Sequence, residues 1–452
     1  MKYNTHLHYP TFILFLSLSL SLSLSLLILN LKLFIFTTPL IRINSIQLKN
    51  IGININDYDY NLPAERIAKY PLRQRDTSKL LVYQKGHITH TIFKNFANYI
   101  SPDDLIVFNN TRVIQARFLF KKPTGAVIEI FCLEPKDPPE YETSLQNKTS
   151  VTWNCLIGNV KKWKKEPLYR TVDYQNNKII LKAEKLEGID STWLICLSWE
   201  PPGYSFREIL EMSGSTPLPP YLKREPVPAD KDTYQTIYSC VEGSVAAPTA
   251  GFHFTPEILD KIKSQSAGIM EITLHVGAGT FRPVLASEVN RHTMHSEHIY
   301  FGKSDLQRLL GFQGPILAIG TTSTRTLETI YWLGCKVTEQ PGLTPDDLYL
   351  RQWEDHNLTM VPEEKSLETL INFFEKNNIE QYHTFTQLMI VPGYSYMLVD
   401  KMLTNFHQPK STLLLLVSAF VGNDWKKIYH YAMENDFRFL SYGDSSLLIP
   451  FF

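Results

Sequence analysis

Three histidines stand beside turns built from small residues: His253 in GSVAAPTAGFHFT (243–255), His275 in TLHVGAGTFRPV (273–284) and His407 in TNFHQPKST (404–412). Histidine titrates nearest neutrality, so each is a candidate general acid or base, with a structural hydrogen-bonder as the alternative. Gly277 and Gly279 let backbone approach a bulky ligand, and Ser244, Thr249 and Arg282 add hydroxyls and one cation to the same turns. A fourth stretch, GTTSTRTLE (320–328), opens a helix. Its first N–H groups, with Thr321, Thr322 and Arg325, suit an anion such as a carboxylate or phosphate; a well-capped helix is the other reading.

Two further clusters could do chemistry. HTMHSEH brings His292, His295, Glu297 and His298 together. On a helix, His292 and His295 would share a face, as metal ligands require. No second Cys or His pair at metal spacing accompanies them, so the expectation is a polar cleft and no resident metal. KKWKKEP (161–167) sets Trp163 among Lys161, Lys162, Lys164 and Lys165. That arrangement suits a nucleic-acid backbone and base, and equally a solvated hairpin tip. A basic run, Arg66 to Lys79, reads as a solvated face first and a phosphate patch second.

Several chemistries are excluded. GAGTFR has Arg282 where a dinucleotide fingerprint needs its third glycine, and GxxxxGK[ST], GxSxG and HExxH do not occur. The five cysteines are scattered and form no CxxC, which argues against a disulfide framework or structural zinc and fits a reducing compartment. Net charge is zero, so a nucleic-acid role needs a local basic face.

The elements that must position these residues follow from periodicity. The 452 residues suffice for two or three domains. LLVYQ and HITHTIF flank Lys85-Gly86, a hairpin signal. Residues 116–206 carry short strand patterns without helices, the texture of a small β-barrel. Residues 51–115 and 207–452 alternate strands and helices, the texture of an α/β domain with a mostly parallel sheet, interrupted by the barrel. Within it, Thr255 caps a helix with Pro256 at N1 and Gly268 as C′, Gly334 stops the helix that opens at 320, and LMIVPGY (388–394) is a strand and turn. Ser411 caps a buried helix and 423–436 is amphipathic; SLETLINFFEKNN (366–378) reads as a surface helix.

Residues 1–50 stand apart. TFILFLSLSLSLSLSLLILNLKLFIF (11–36) has the length and apolarity of a membrane anchor, but its Ser-Leu alternation is low-complexity and the globular pattern begins only near Asp57. The competing expectation is an extension that the working protein lacks.

Taken together, YDYNLPAERIAKYPLRQRDTSKLLV (58–82), DDLIVFNNTRVIQARF (103–118), the four turns above, HTMHSEH, VPGYSYMLVDKMLTNFHQPKSTLLLLVSAFVG (391–422) and RFLSYGDSSLL (438–448) closely resemble the S-adenosylmethionine:tRNA ribosyltransferase-isomerases of queuosine biosynthesis. The resemblance runs from about Asp57 to Leu448. It implies a monomeric, cytoplasmic, metal-independent enzyme that needs no cofactor and consumes S-adenosylmethionine as a substrate. The ribosyl part moves onto 7-aminomethyl-7-deazaguanine at the tRNA wobble position, giving epoxyqueuosine and releasing adenine and methionine. On that footing His253 or His275 is the candidate base. Thr321, Thr322 and Arg325 are candidates for the methionine carboxylate. Asn405, His407 and Lys410 would contact ribose or tRNA, and Lys161–Lys165 the tRNA. Residues 336–386 form a longer segment than such proteins usually carry. Two rivals come from other classes: a membrane-tethered RNA-binding protein without catalysis, and a metal-dependent hydrolase built on residues 292–298.

Overall fold

The computed structural model describes residues 52–189, 192–277, 279, 284 and 286–450. The anchor-like segment 1–50 and Arg282 therefore lie outside the described residues. Among the described residues no helix is long and apolar enough to cross a membrane.

Strands β1 (Lys79–Gln84) and β2 (His87–Ile92) form the expected hairpin. Lys85 and Gly86 both take positive φ, 48° and 82°, as a two-residue turn matched to strand twist requires. β3 (Leu105–Asn109) is buried along its whole length. Its alternation serves two cores. Leu105 and Val107 pack with Leu327 and Ile330 on one face, while Ile106 and Phe108 pack with Phe254, Ile258 and Phe96 on the other.

The chain leaves this sheet after β4 (Thr111–Val113). Strands β5 (Arg117–Lys121), β6 (Val127–Asp137), β7 (Ser150–Gly158), β8 (Leu168–Tyr174), β9 (Asn177–Ile189) and β10 (Thr192–Glu200) form a six-stranded antiparallel sheet of order β5-β6-β7-β10-β9-β8. The end strands meet through Arg170, whose Nη1 donates to the Leu119 carbonyl at 3.4 Å, so the sheet curls nearly closed. Phe118, Phe120, Ile130, Trp153, Leu181 and Leu197 fill it without exposed surface. The chain returns at β11 (Val241–Ser244), which pairs in parallel with β4.

The remaining strands are β12 (Gly268–His275), β13 (Glu297–Gly302), β14 (Ile316–Ile319), β15 (Gln381–Thr386), β16 (Lys401–Asn405) and β17 (Ser445–Ile449). With β1–β3 they make one nine-stranded sheet, β15-β13-β12-β3-β14-β16-β17-β1-β2. The sheet is mixed, not mostly parallel. The pairs β12/β3, β3/β14, β14/β16 and β17/β1 are parallel; β15/β13, β13/β12, β16/β17 and β1/β2 are antiparallel. The parallel heart, β12-β3-β14-β16, is where crossovers return each strand in one direction.

Three helix expectations change. Helix Pro256–Gln265 has Thr255 as N-cap and Pro256 at its start, but ends at Ser266; Gly268 instead opens β12 at φ +148°. Helix Gly320–Glu339 runs through Gly334. A Cβ there would lie 2.2 Å from the Ser366 Oγ, so this glycine marks a close helix crossing, not a stop. The crossing partner, Glu363–Lys376, is not a surface helix, since Leu367, Leu370 and Phe374 are buried against the core. Leu388–Val391 is buried but is no strand, whereas Ser411 caps Thr412–Val421 and Asp424–Glu434 follows, as expected.

Candidate active site

The C-terminal ends of β12, β14 and β16 lie along one sheet edge, where open α/β sheets bind ligands. A cavity of about 790 Å³, mouth included, opens there. Ala246–Ala250 after β11, Val276 after β12, Gly320–Thr322 after β14 and Thr404, Asn405 and His407 at the end of β16 form its walls, with Arg325, Tyr221 and Ser441.

The helix Gly320–Glu339 starts uncapped, because Ile319 offers no side-chain oxygen. Its hydroxyls mostly turn back to the preceding turn: Ser323 donates to the Ile319 carbonyl at 2.9 Å, Thr324 to Gly320 at 3.1 Å and Thr326 to Thr322 at 3.0 Å. Thr322 lines the cavity, and its Oγ1 is buried with no partner among the described residues. A buried hydroxyl left unpaired costs about 1–3 kcal/mol, so an occupant that bonds it recovers that loss.

Arg325 differs from expectation. Its guanidinium is buried and ion-paired with Glu297, and burial lowers its pKa to about 10. Its charge is already matched, which leaves Thr321, Thr322 and the first-turn N–H groups as the candidate anion-binding edge; the Arg325 Nε has no partner among the described residues.

The histidines separate. His407 is in the cavity wall; its Nε2 meets the Thr404 Oγ1 at 2.8 Å, and its backbone is held by the Tyr429 and Tyr60 hydroxyls. Burial pushes its pKa down to about 3, so the imidazole is neutral at pH 7. His253 stands one layer behind the wall. Its Nδ1 meets the Ser78 Oγ at 2.7 Å, its ring lies 4.9 Å from Phe93, and its Nε2 faces the Asn405 Nδ2 at 3.5 Å. Burial, then Arg438 and Arg75, push it down to about 3. Asn405 in turn accepts from the Thr249 Oγ1 at 2.7 Å. His275 lines a second cavity with Gly277 and Gly279, bonded through Nδ1 to the Thr111 Oγ1 at 2.9 Å; burial, then His298 and His383, lower it to about 3.

The other candidates fall outside the walls. Ser244 ties two turns together, donating to the Ala246 carbonyl at 2.6 Å and accepting from the Val276 N–H at 2.8 Å. Lys410, in left-handed backbone at φ +54°, pairs with Asp59 at 2.9 Å. Trp163 is not a stacking platform: it is 2% exposed, packs in the barrel core and donates to the Glu166 carbonyl at 2.9 Å. Lys161, Lys162, Lys164 and Lys165 are exposed around it.

HTMHSEH is not helical. Glu297 and His298 begin β13, so strand alternation sends Glu297 inward to Arg325 and His298 outward to His383, at 2.8 Å. His295 meets Glu297 at 3.1 Å. Among the described residues no group of three or more His, Cys, Asp or Glu could hold a metal ion. Sequence reasoning missed Tyr221 and Ser441, whose hydroxyls meet at 2.5 Å in the wall; the prolines of PLPPYLK around Tyr221 were the only signal of a fixed turn.

The sequence model of a family described as "Queuosine biosynthesis protein" matches residues 55–448. A relative from Sulfurihydrogenibium sp. (strain YO3AOP1), named S-adenosylmethionine:tRNA ribosyltransferase-isomerase, is 36% identical over 408 residues, covering 88% of this chain and 100% of the relative. The protein of that name from Thermotoga petrophila is 37% identical over 403 residues, at 88% and 100% coverage. The solved structure of S-adenosylmethionine tRNA ribosyltransferase from Thermotoga maritima is 29% identical, with a TM-score of 0.42, over 87% of this chain and 100% of that one. A family match across nearly all the described residues, with full-length relatives above one-third identity, makes this chain a member of the queuosine biosynthesis family, alongside the S-adenosylmethionine:tRNA ribosyltransferase-isomerases.

Proposed function

We propose that this protein transfers and isomerises the ribosyl part of S-adenosylmethionine onto 7-aminomethyl-7-deazaguanine at the tRNA wobble position, releasing adenine and methionine. The full-length relationship to enzymes of that name supports the reaction, and the cavity at the sheet edge supports where it happens. The observation that carries the assignment of the cavity is the unpartnered Thr322 hydroxyl beside an uncapped helix start. That pair is a carboxylate-binding edge for the methionine end. The remaining wall is mostly small residues, which let a nucleoside approach the backbone.

The chemistry then asks for proton transfer and positioning. The sulfonium acidifies the C5′ proton, which a general base must take; His407 is the histidine in the wall, neutral at pH 7 but weakened as a base by the burial that lowers its pKa. Asn405, held by Thr249 and backed by His253, is poised to orient the ribose hydroxyls. Adenine departs more readily once protonated, and the aminomethyl nitrogen attacks as the neutral amine. No step calls for a metal or redox cofactor, and the reading has the protein working as a cytoplasmic monomer, where tRNA is available.

The test is adenine release from S-adenosylmethionine and tRNA bearing the aminomethyl base, with and without chelator. Release that survives chelator is expected. Binding without release, or release abolished by chelator, would overturn the reading.

A further inference from the structure

A second cavity, of about 810 Å³ with its open mouth included, lies where the barrel meets the large sheet. The barrel supplies Glu134, Asn154 and Thr192; the sheet side supplies His275, Gly277 and His298. The two cavities share a strand end: Val276 is in the wall of the first, and its neighbours His275 and Gly277 are in the wall of the second.

The chemistry of this wall is distinctive. Asn154 donates its Nδ2 to the Glu134 Oε1 at 3.1 Å, which fixes the amide, yet its Oδ1 is buried without a partner among the described residues. The Glu134 side chain is 40% exposed, and the His298 Nε2 lies 3.8 Å from its Oε2. The nearby His298 imidazole and the Asn154 hydrogen bond hold that carboxyl below the usual range, so it is ionised at neutral pH. No lysine or arginine is among the described residues of the wall. A fixed carboxylate beside an orphaned amide oxygen is an acceptor surface. It repels phosphate and selects a ligand rich in N–H donors.

We infer that this cavity receives the acceptor base of the tRNA, with Glu134 and Asn154 accepting hydrogen bonds from its N–H groups. The inference rests on the function proposed above. 7-Aminomethyl-7-deazaguanine carries a primary amine on one side and a guanine-like N–H edge on the other, so it presents donors and no phosphate. Placed there, it lies across the Val276 strand end from the nucleoside cavity, so that each cavity holds one of the two reactants.

The experiment compares Glu134→Gln and Asn154→Ala with the wild-type chain, reading KM for the modified tRNA, binding of S-adenosylmethionine alone, and the salt dependence of tRNA use. Each variant is expected to raise KM for tRNA roughly tenfold or more, as loss of a hydrogen bond to a charged or buried group does. S-adenosylmethionine binding and the salt slope should stay unchanged, because neither a phosphate contact nor the first cavity is altered. Wild-type KM in both variants, or equal weakening toward S-adenosylmethionine, would overturn the inference while the wild-type enzyme still turns over. A wild-type chain that releases no adenine would instead overturn the functional reading, and this inference with it.

Discussion

Arg325 and Glu297 join the two cavities. The guanidinium is in the wall of the first, and its buried carboxylate partner turns its other oxygen toward His295 at 3.1 Å and the Gly277 N–H at 3.3 Å, both in the wall of the second. Glu297 is 1% exposed, so the pair has no water to replace a lost partner. Removing one member of such a pair costs about 3–5 kcal/mol. Glu297→Gln is therefore expected to lower the urea midpoint clearly and to raise KM for both substrates. His295→Gln keeps the Arg325 pair and is expected to affect tRNA alone. An unchanged midpoint in Glu297→Gln would show that the pair does not hold the cavities together.

Thr322→Val removes a hydroxyl that has no partner among the described residues while keeping its shape. Stability is expected to hold or rise slightly. S-adenosylmethionine binding should weaken by about 1 kcal/mol, close to fivefold, the worth of one ordinary hydrogen bond. Calorimetric titration reads both effects, and unaltered binding would detach Thr322 from the ligand.

Acid should destabilise the fold through its buried histidines. His253, His275 and His407 are each pushed from the ordinary 6.5 to about 3, burial being the main cause. They stay neutral in the folded chain, whereas in the unfolded chain they take up protons near pH 6.5. Below that pH the unfolded state binds more protons, so stability falls as pH drops from 6.5 toward 3, by up to about 1.4 kcal/mol per pH unit for each histidine. His253→Gln is expected to show a shallower slope than wild type between pH 6.5 and 4.5, above the range where most carboxylates titrate. Parallel curves would mean that His253 is not held neutral.

What the sequence made legible was local. Caps at Thr255 and Ser411, the Lys85-Gly86 turn and the small-residue turns after strands all depend on neighbours within a few residues, and they stand where expected. What it hid was set across the fold. The Glu297 partner lies 28 residues away on the helix Gly320–Glu339, and strand alternation, not helical spacing, decides which of Glu297 and His298 turns inward. Likewise Trp163 looks like a nucleic-acid contact in KKWKKEP only until the barrel closes over it.

Gly334 carries the same lesson into a prediction. Gly334→Ala would normally favour a helix interior, by about 1 kcal/mol. Here the new methyl would meet the Ser366 Oγ at 2.2 Å and its carbonyl oxygen at 2.3 Å, and that hydroxyl is itself bonded to the Tyr331 carbonyl at 2.6 Å. Overpacking of this kind costs about 1–3 kcal/mol, so a lower Tm is expected instead of a higher one. A raised Tm would mean that the two helices separate freely.

Trp163 and the lysines around it should part company under mutation. Trp163 is buried in the barrel, its indole donates to the Glu166 carbonyl, and its own carbonyl accepts from the Lys185 Nζ at 2.7 Å. Trp163→Ala is expected to cost about 3–5 kcal/mol, as truncation of a buried tryptophan does, and to lower the Tm. Lys161, Lys164 and Lys165 are exposed and bury nothing, so changing all three to alanine should leave the Tm within a degree or two. If they contact the tRNA backbone, the triple variant loses affinity at low salt and flattens the salt slope by up to about three contacts' worth, uniformly across tRNA sequences. A wild-type salt slope in the triple variant would move the tRNA path away from this barrel edge, and a wild-type Tm in Trp163→Ala would return the indole to the surface.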